Sequence, residues 1–176
     1  MTTTRGLLTA LSTYADETLS WVTYAARDTV AGVDYVTITV VGDDGALSTV
    51  GSTDPVALRA DSLQYSLRQG PAMAALQGAQ MTVSSDVRDD ARWPGYGPKA
   101  SALGIRAQAA LGLRWADQPV GALNLYSTRS EPFTVDALAL ARQYAGHASA
   151  AWEIVRRAQR TRVPTQRQSA ERPLAS

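Results

Sequence analysis

Few side chains in this sequence could carry out covalent or acid–base chemistry. There is no cysteine and a single histidine, His147. Without thiols the chain cannot form disulfides, thiolate metal sites, iron–sulfur clusters or a cysteine nucleophile. A Ser–His–Asp arrangement needs a histidine beside its nucleophile, and His147 lies on the last predicted helix, away from the predicted pocket. We expect no catalytic residue, and we interpret His147 as a structural or interface residue rather than a haem ligand.

Three carboxylates are clustered in the segment DVRDD, residues 86–90. Carboxylate oxygens are the ligands that hard cations prefer, so a metal site in this segment is one interpretation. The other, which we favour, is a solvated loop in which an aspartate caps a short helix. We therefore predict no metal ion and no cofactor.

Another set of residues has the character of a small-molecule site, which is mostly apolar with a few placed polar groups. Trp93 and Tyr96 belong to the polar loop DVRDDARWPGYGP, and they gain burial only by folding inward. Asn124 belongs to an otherwise apolar strand, where a buried amide needs partners. The predicted ligand-binding residues are Tyr65, Met73, Trp93, Tyr96, Gln108, Leu111 and Asn124. Each could instead be an ordinary core residue, and this applies most to Leu111 and Met73.

The N-terminal elements that would position these residues are a helix and a hairpin. Apolar residues at steps of three and four predict a helix over residues 6–30. Alternating β-branched residues at 36–41 predict a strand. The turn Asp43-Asp44-Gly45 should reverse the chain into a second strand at 46–52, because glycine tolerates the positive φ of hairpin turns.

The rest of the chain alternates between short helices and strands before a long final helix. A long helix should begin near Thr134, whose hydroxyl can cap its first turn. Two hairpins that bracket small helices indicate an α+β fold with an antiparallel sheet. The remaining predicted elements are helices over 57–67 and 71–77, a strand over 81–84, and strands over 106–115 and 120–127 that pair as a hairpin.

Charge is divided unevenly along the 176 residues, whose net charge is +1. Residues 156–176 carry six arginines and one acidic residue, Glu171, while the rest is mildly acidic. We predict one domain over 1–160 and a basic, disordered tail over 161–176, because the tail has little apolar surface to bury. An arginine-rich tail can contact nucleic-acid phosphates. It lacks aromatic residues for base stacking, and we interpret it as a solvated terminus.

A membrane location is not predicted. No segment reaches the roughly 18 apolar residues that a membrane span needs. Asp16 and Glu17 interrupt the apolar N-terminal run, which argues against a secretory signal. A sequence without cysteine fits a reducing compartment, and we expect the protein to be cytoplasmic.

Four stretches, in this order and spacing, resemble the GAF domains of actinobacterial signalling proteins, especially those coupled to an RNA-binding ANTAR module. They are VDYVTITVVGDDGALSTVGSTDP (33–55), LQYSLRQGPAMAAL (63–76), VSSDVRDDARWPGYGPKASALGIRA (83–107) and PVGALNLYS (119–127). The flanking helices also match in position, but a three-helix ANTAR segment is not found after the last helix.

The resemblance implies a six-stranded antiparallel sheet, with the N- and C-terminal helices on one face and small helices and loops over a pocket on the other. It also implies dimerisation through the two terminal helices, where small residues would allow close approach. The alternative is that these apolar stripes only cover the sheet. The expected interface residues are Leu11, Leu19, Val22, Ala141, Ala145, Ala148, Trp152 and Val155.

Departures from the family pattern limit the function. Many relatives have a cysteine directly after Gly-Pro, where this sequence has Ala72. Bilin attachment and the chemistry of the methionine sulfoxide reductase type, which both use cysteine, are therefore not expected. The signature of cyclic-nucleotide GAF domains is also missing.

Two functions remain open. The first is a non-catalytic sensor that binds an unidentified small molecule and signals to a protein partner through its terminal helices. The second is a ligand-free dimerisation or scaffold module, and contact with nucleic acid through the tail is a weaker third interpretation.

Overall fold

The computed structural model describes residues 3–161, with side chains from residue 13 onward. Each helix and strand predicted from the residue patterns is present, with ends shifted by a few residues. Except for Thr161, the predicted tail lies outside the described residues. The elements are α1 (Thr3–Thr29), β1 (Tyr35–Val41), β2 (Leu47–Val50), α2 (Pro55–Leu67), α3 (Pro71–Leu76), β3 (Met81–Ser84), a 3₁₀ turn (Val87–Asp89), α4 (Gly97–Ala102), β4 (Ala107–Trp115), β5 (Gln118–Ser127) and α5 (Val135–Thr161).

The strands form one antiparallel sheet in the order β2-β1-β5-β4-β3. The α+β architecture is as predicted, with α1 and α5 against one face and the small helices against the other. The sheet of the described chain has five strands, whereas the resemblance implied six. The residue patterns themselves account for five, and the segment between β3 and β4 is rich in proline and glycine, which disfavour strands.

The predicted β1–β2 hairpin is confirmed, and its turn chemistry is visible. The amide of Ala46 donates a 2.9 Å hydrogen bond to the side chain of Asp44. Gly45 has a φ of 78°, a conformation that costs glycine little. The turn fixes the register that pairs Val41 with Leu47, so it places both strands beside α2.

The core lies between the sheet and the two long helices. Ile38, Leu123 and Leu125 project from the sheet into this layer, and α1 and α5 cover them with one apolar stripe each. The predicted cap of α5 is present, because the amide of Ala137 donates to the Thr134 hydroxyl at 3.2 Å.

The expected dimer interface is corrected by this packing. The sheet face below the long helices consists of valine, isoleucine and leucine, and it must be covered by apolar residues. The apolar stripes of α1 and α5 provide this cover. The side chains of these stripes are therefore not on a surface that a second copy could reach. The side chain of Leu11 lies outside the described part of the chain. Buried in the core of a single chain are Leu19, Val22, Ala141, Ala145, Ala148, Trp152 and Val155.

Candidate ligand cleft and its buried polar network

The sheet face opposite the long helices carries polar side chains. Successive residues of a strand point to opposite faces, so the residues between the core positions of β1 and β5 belong here. They are Thr37 and Thr39 on β1 and Asn124 and Tyr126 on β5, and Gln108 on β4 pairs with Tyr126. All five are inaccessible to solvent. Their polar atoms must therefore find partners within the protein.

Helix α2 supplies some of these partners. Its first turn is capped by Asp54, whose carboxylate accepts from the amide of Val56 at 2.7 Å. Asp61 and Gln64 follow Ala57 at steps of four and three residues, so they lie on the same buried side of α2. The Asp61 carboxylate accepts hydrogen bonds from the Asn124 amide at 3.2 Å, from the Thr49 hydroxyl at 2.8 Å and from the Tyr126 hydroxyl.

Asp61 is a buried carboxylate without an arginine or lysine partner among the described residues. Burial raises its pKa to about 6, because the charged form loses its hydration. The hydrogen bonds from Tyr126 and Thr49 act in the opposite direction and favour the carboxylate. The same burial, together with the neighbouring Asp61 charge, raises the pKa of Tyr126 well above its ordinary value.

Gln64 ties α2 to the turn that follows it. Its Nε2 donates to the Tyr126 hydroxyl at 3.0 Å, and its Oε1 accepts from the amide of Ala72 at 2.9 Å. A side chain at Gly70 would place its Cβ 2.4 Å from Gln64 Oε1, and Gly70 has a φ of 121°. The Gly-Pro turn therefore needs its glycine for both space and backbone conformation.

The loop between β3 and α4 folds inward, as predicted. The Tyr96 hydroxyl donates to Gln108 Oε1 at 2.5 Å, and Trp93 is 9% exposed with the Arg92 guanidinium over its ring. Gln69 Oε1 holds the loop by accepting from the amides of Gly95 and Tyr96.

The structure places no open concavity between these aromatic residues and Asn124. Tyr96, Gln108 and Asn124 are fully buried, and the region between the loop and the strands is occupied by Tyr126 and by residues of α2. The predicted open site is corrected here, because Asp61, Gln64 and Tyr126, none of them in the predicted set, fill the region. Gln108 Nε2 and Asn124 Oδ1 are buried without a hydrogen-bond partner among the described residues.

Leu111 does not belong to this face. It packs with the core under the long helices, and its partner across β5 is Leu123. The prediction was wrong for this residue, because Gln108 and Leu111 are three positions apart and a strand turns such residues to opposite faces.

Tyr65 and Met73 line an open cleft at one end of the polar face. The cleft has a volume of about 550 Å³ and lies between the hairpin turn, the end of α2, α3 and the start of β5. Its lining residues are Val41, Gly45, Ala46, Leu47, Tyr65, Arg68, Met73, Leu76 and Pro119. The structure thus brings two of the seven predicted ligand residues, Tyr65 and the 8% exposed Met73, to the wall of an open cleft, and the other five lie elsewhere in the buried interior.

The Tyr65 hydroxyl joins the cleft to the buried network. It shares hydrogen bonds of 2.8 Å with Thr39 and with Thr49, and Thr49 donates to Asp61. Since Thr49 gives its single proton to Asp61, Tyr65 must be the donor to Thr49 and Thr39 the donor to Tyr65. A continuous chain of hydrogen bonds therefore runs from the cleft to the Asp61 carboxylate.

The carboxylates of residues 86–90 are engaged in caps and ion pairs. Asp86 accepts from the amide of Arg88 and pairs with Arg106 at 2.5 Å. Asp90 pairs with Arg92 at 2.6 Å, and this interaction lowers its pKa to about 2. Within residues 13–161 no group of three or more potential metal ligands was found.

Sequence reasoning missed Asp61, Gln64 and Arg68. The spacing of Ala57, Ala60, Asp61 and Gln64 was a usable signal for the first two, because these residues share one helix face and alanine is their only apolar companion. No comparable signal marked Arg68, because its place in the cleft lining depends on where α2 ends.

His147 lies on the outer side of α5. Its ring is 6.3 Å from that of Trp21 on α1, at the exposed surface of the two long helices. None of the described helices has the length and apolar character needed to cross a bilayer.

Solved structures share this architecture. The GAF domain of a two-component sensor histidine kinase from Bacillus halodurans is 15% identical with a TM-score of 0.60, covering 82% of this chain and 97% of that chain. The GAF3 domain of a Synechocystis protein in its photoproduct state is 15% identical with a TM-score of 0.64, covering 84% and 98%. A type II free methionine-R-sulfoxide reductase from Thermoplasma acidophilum is 15% identical with a TM-score of 0.59, covering 80% and 94%.

These identities are low, and the likeness is one of fold. Among curated protein sequences, none matches the chain significantly. A family model described as "GAF domain" matches residues 13–153, which include the whole sheet and most of both long helices. The chain therefore belongs to the GAF domain family.

Proposed function

We propose that this domain is a non-catalytic sensor that binds a small molecule in the cleft beside Tyr65 and Met73. Its occupancy would be passed to a partner protein through α1 and α5. The observation that supports this is the hydrogen-bonded connection from the cleft through Tyr65 and Thr49 to Asp61. Asp61 in turn accepts hydrogen bonds from Thr49 on β2 and Asn124 on β5, and the other face of this sheet carries the long helices. A ligand that moves Tyr65 would alter the support of those helices.

The non-catalytic part of the proposal has its own support. The sequence contains no cysteine, and Asp61, the one fully buried carboxylate among the described residues, is inaccessible to solvent. The cleft offers lining side chains for binding, with no acid–base pair.

The test is to purify the full chain from its host and to record its native mass spectrum. We expect a bound small molecule on the wild-type protein and its loss in Ala46→Trp, because Ala46 is an exposed residue of the cleft wall and a larger side chain there fills the space. A native protein without any adduct, or an adduct that persists in Ala46→Trp, would contradict a ligand site in this cleft.

The ligand-free scaffold remains the second candidate. It is favoured by the packing around Tyr96 and Asn124, where the domain's own side chains fill the region that a sensor of this kind would leave open. The absence of any adduct in the native mass spectrum would support it.

Both candidates include a homodimer, and the exposed side of the long helices offers the surface for it. Tyr14 and Trp21 are seven residues apart on α1, and His147 and Ile154 are seven apart on α5, so each pair shares one helix side. Trp21 is 55% and Ile154 60% exposed. The contacts Trp21–His147 and Thr29–Tyr144 show that the helices run antiparallel, which brings the two pairs into one patch.

We expect Trp21→Glu to convert a wild-type dimer into a folded monomer. The substituted side chain is largely exposed in a single chain, so a charge there opposes association without entering the core. Sedimentation velocity at micromolar concentrations measures the change, with circular dichroism as the check on folding. Leu58→Glu is the matched control, because Leu58 is an exposed apolar residue on α2, away from this patch. A wild-type protein that sediments only as a monomer would disprove the dimer.

A further inference from the structure

We propose that the cleft beside Tyr65 selects a small amphipathic anion, namely a molecule with one carboxylate and an aliphatic body. This inference rests on the sensor proposed above and adds the chemical class of its ligand. It is carried by the lining of the cleft and by the state of Arg68 at its edge.

The residues that line the cleft indicate the apolar part of the ligand. Val41 and Leu47 come from the hairpin, Met73 and Leu76 from α3, and Pro119 from the start of β5. Most of the lining residues carry aliphatic side chains, and Tyr65 adds one ring. A volume of about 550 Å³ lies within the range of small-molecule sites. Such walls favour an aliphatic chain over a strongly hydrated ligand.

The anionic part is indicated by Arg68. It is the one charged side chain among the described residues of the lining, and its guanidinium has no hydrogen-bond or ion-pair partner in residues 13–161. The aspartates of the nearby hairpin turn are already engaged. Asp43 pairs with Arg156 and Arg160, and Asp44 accepts from the amide of Ala46. A guanidinium matches a carboxylate with two parallel hydrogen bonds.

The backbone at Arg68 is a second, independent observation. Arg68 ends α2 with φ 51° and ψ 36°, the left-handed conformation in which glycine is the usual residue. A side chain there is strained, and of the four described non-glycine residues with a positive φ only Arg68 lines the cleft. Glycine at this position would make the domain more stable, and a need for the guanidinium in ligand binding explains why arginine is present instead.

The probe is octanoate, with octanamide and octylammonium as uncharged and cationic analogues of the same chain length. Titration calorimetry on the full chain should show octanoate binding at least about tenfold more tightly than octanamide, because a charge-assisted bidentate contact is lost in the amide. Octylammonium should not bind measurably.

The decisive variant is Arg68→Gly. It should weaken octanoate binding about tenfold and leave octanamide binding unchanged, while it raises the melting temperature by about 3 °C through relief of the strained backbone. A lower affinity for octanoate together with a higher melting temperature would not be expected if Arg68 had only a structural role. Arg59→Gly is unsuitable as a control because it weakens the middle of α2, so Arg59→Gln serves, and it should leave affinity for octanoate unchanged.

Equal binding of octanoate and octanamide, failure of octanoate to bind, or unchanged octanoate affinity in Arg68→Gly would overturn this inference. The sensor proposal is judged separately by the native mass spectrum. If a native adduct disappears in Ala46→Trp and the protein does not bind octanoate, the sensor proposal is supported and the ligand class is wrong. If the protein has no native adduct but binds octanoate through Arg68, the ligand class is supported and the sensor proposal is wrong.

Discussion

Ala148→Glu is expected to unfold the domain rather than to separate two copies of it. Ala148 is fully buried on the side of α5 that faces the sheet, in the core that includes Trp152 and Leu123. A glutamate there must bury a charge without a partner or become protonated, and its larger side chain also overfills the site. The expected loss is on the order of 4 kcal/mol of unfolding free energy, a large part of the stability of a domain of this size.

Urea unfolding followed by circular dichroism at two protein concentrations measures this effect. The matched control is Ala150→Glu, since Ala150 lies on the same helix two residues away and is exposed. We expect Ala150→Glu to change the unfolding free energy by less than about 0.5 kcal/mol. If Ala148→Glu instead remained folded as a monomer at wild-type stability, the stripe would be an interface and its assignment to the core would be wrong.

The stripe illustrates what helical periodicity can and cannot predict. Apolar residues at steps of three and four correctly indicated α1 and α5, because any buried helix side produces that pattern. The pattern does not identify the surface that buries it. Packing against the sheet and packing against a second copy both require an apolar stripe. The second apolar repeat on the outer side, Tyr14 with Trp21, indicates a dimer surface only once the first stripe is known to pack against the sheet.

The fold was otherwise well predicted because its signals are local. The Asp43-Asp44-Gly45 turn, the alternation in β1 and the threonine cap of α5 each depend on a few adjacent residues. Resemblance contributed the arrangement of helices on both faces of the sheet. The sixth strand depended on the resemblance alone, and it is the part that residues 3–161 lack.

The candidate site was harder to predict because it depends on contacts between distant segments. Trp93 and Tyr96 do fold inward, as the cost of exposing aromatic residues suggested. What they meet could not be inferred, because the side chains that fill the region come from α2 and from Tyr126 on β5. Strand alternation alone would have removed Leu111 from any set that includes Gln108 and Asn124.

Asp61→Asn is expected to remove most of a pH dependence in the stability of the domain. The pKa of Asp61 is raised from 3.8 to about 6 in the folded protein. Between these values the folded state holds a proton that the unfolded state has released. The unfolding free energy therefore falls as pH rises through this window and stays low above it. The shift corresponds to about 3 kcal/mol in total, of which about 2 kcal/mol falls between pH 4.5 and 7.

Asparagine resembles the protonated carboxyl group in shape and in having both a donor and an acceptor. The Thr49 hydroxyl, which now donates to Asp61, can rotate to accept a hydrogen bond from the new amide. We therefore expect the variant and the wild type to be similarly stable near pH 4 and the variant to be more stable near pH 7. Urea unfolding at a series of pH values between about 4 and 7.5 measures both curves.

The carboxylates with arginine partners do not imitate this behaviour, because their pKa values move the other way. Arginine partners lower those of Asp86 and Asp43, and Asp90 is lowered to about 2. Their contributions are present above the unfolded value and are lost only as pH falls further, so they are constant in the window used. Asp89→Asn, at an exposed position, should keep the wild-type slope. Parallel curves for wild type and Asp61→Asn would show that Asp61 has the same pKa in the folded and the unfolded state, and they would disprove a pKa shift caused by burial.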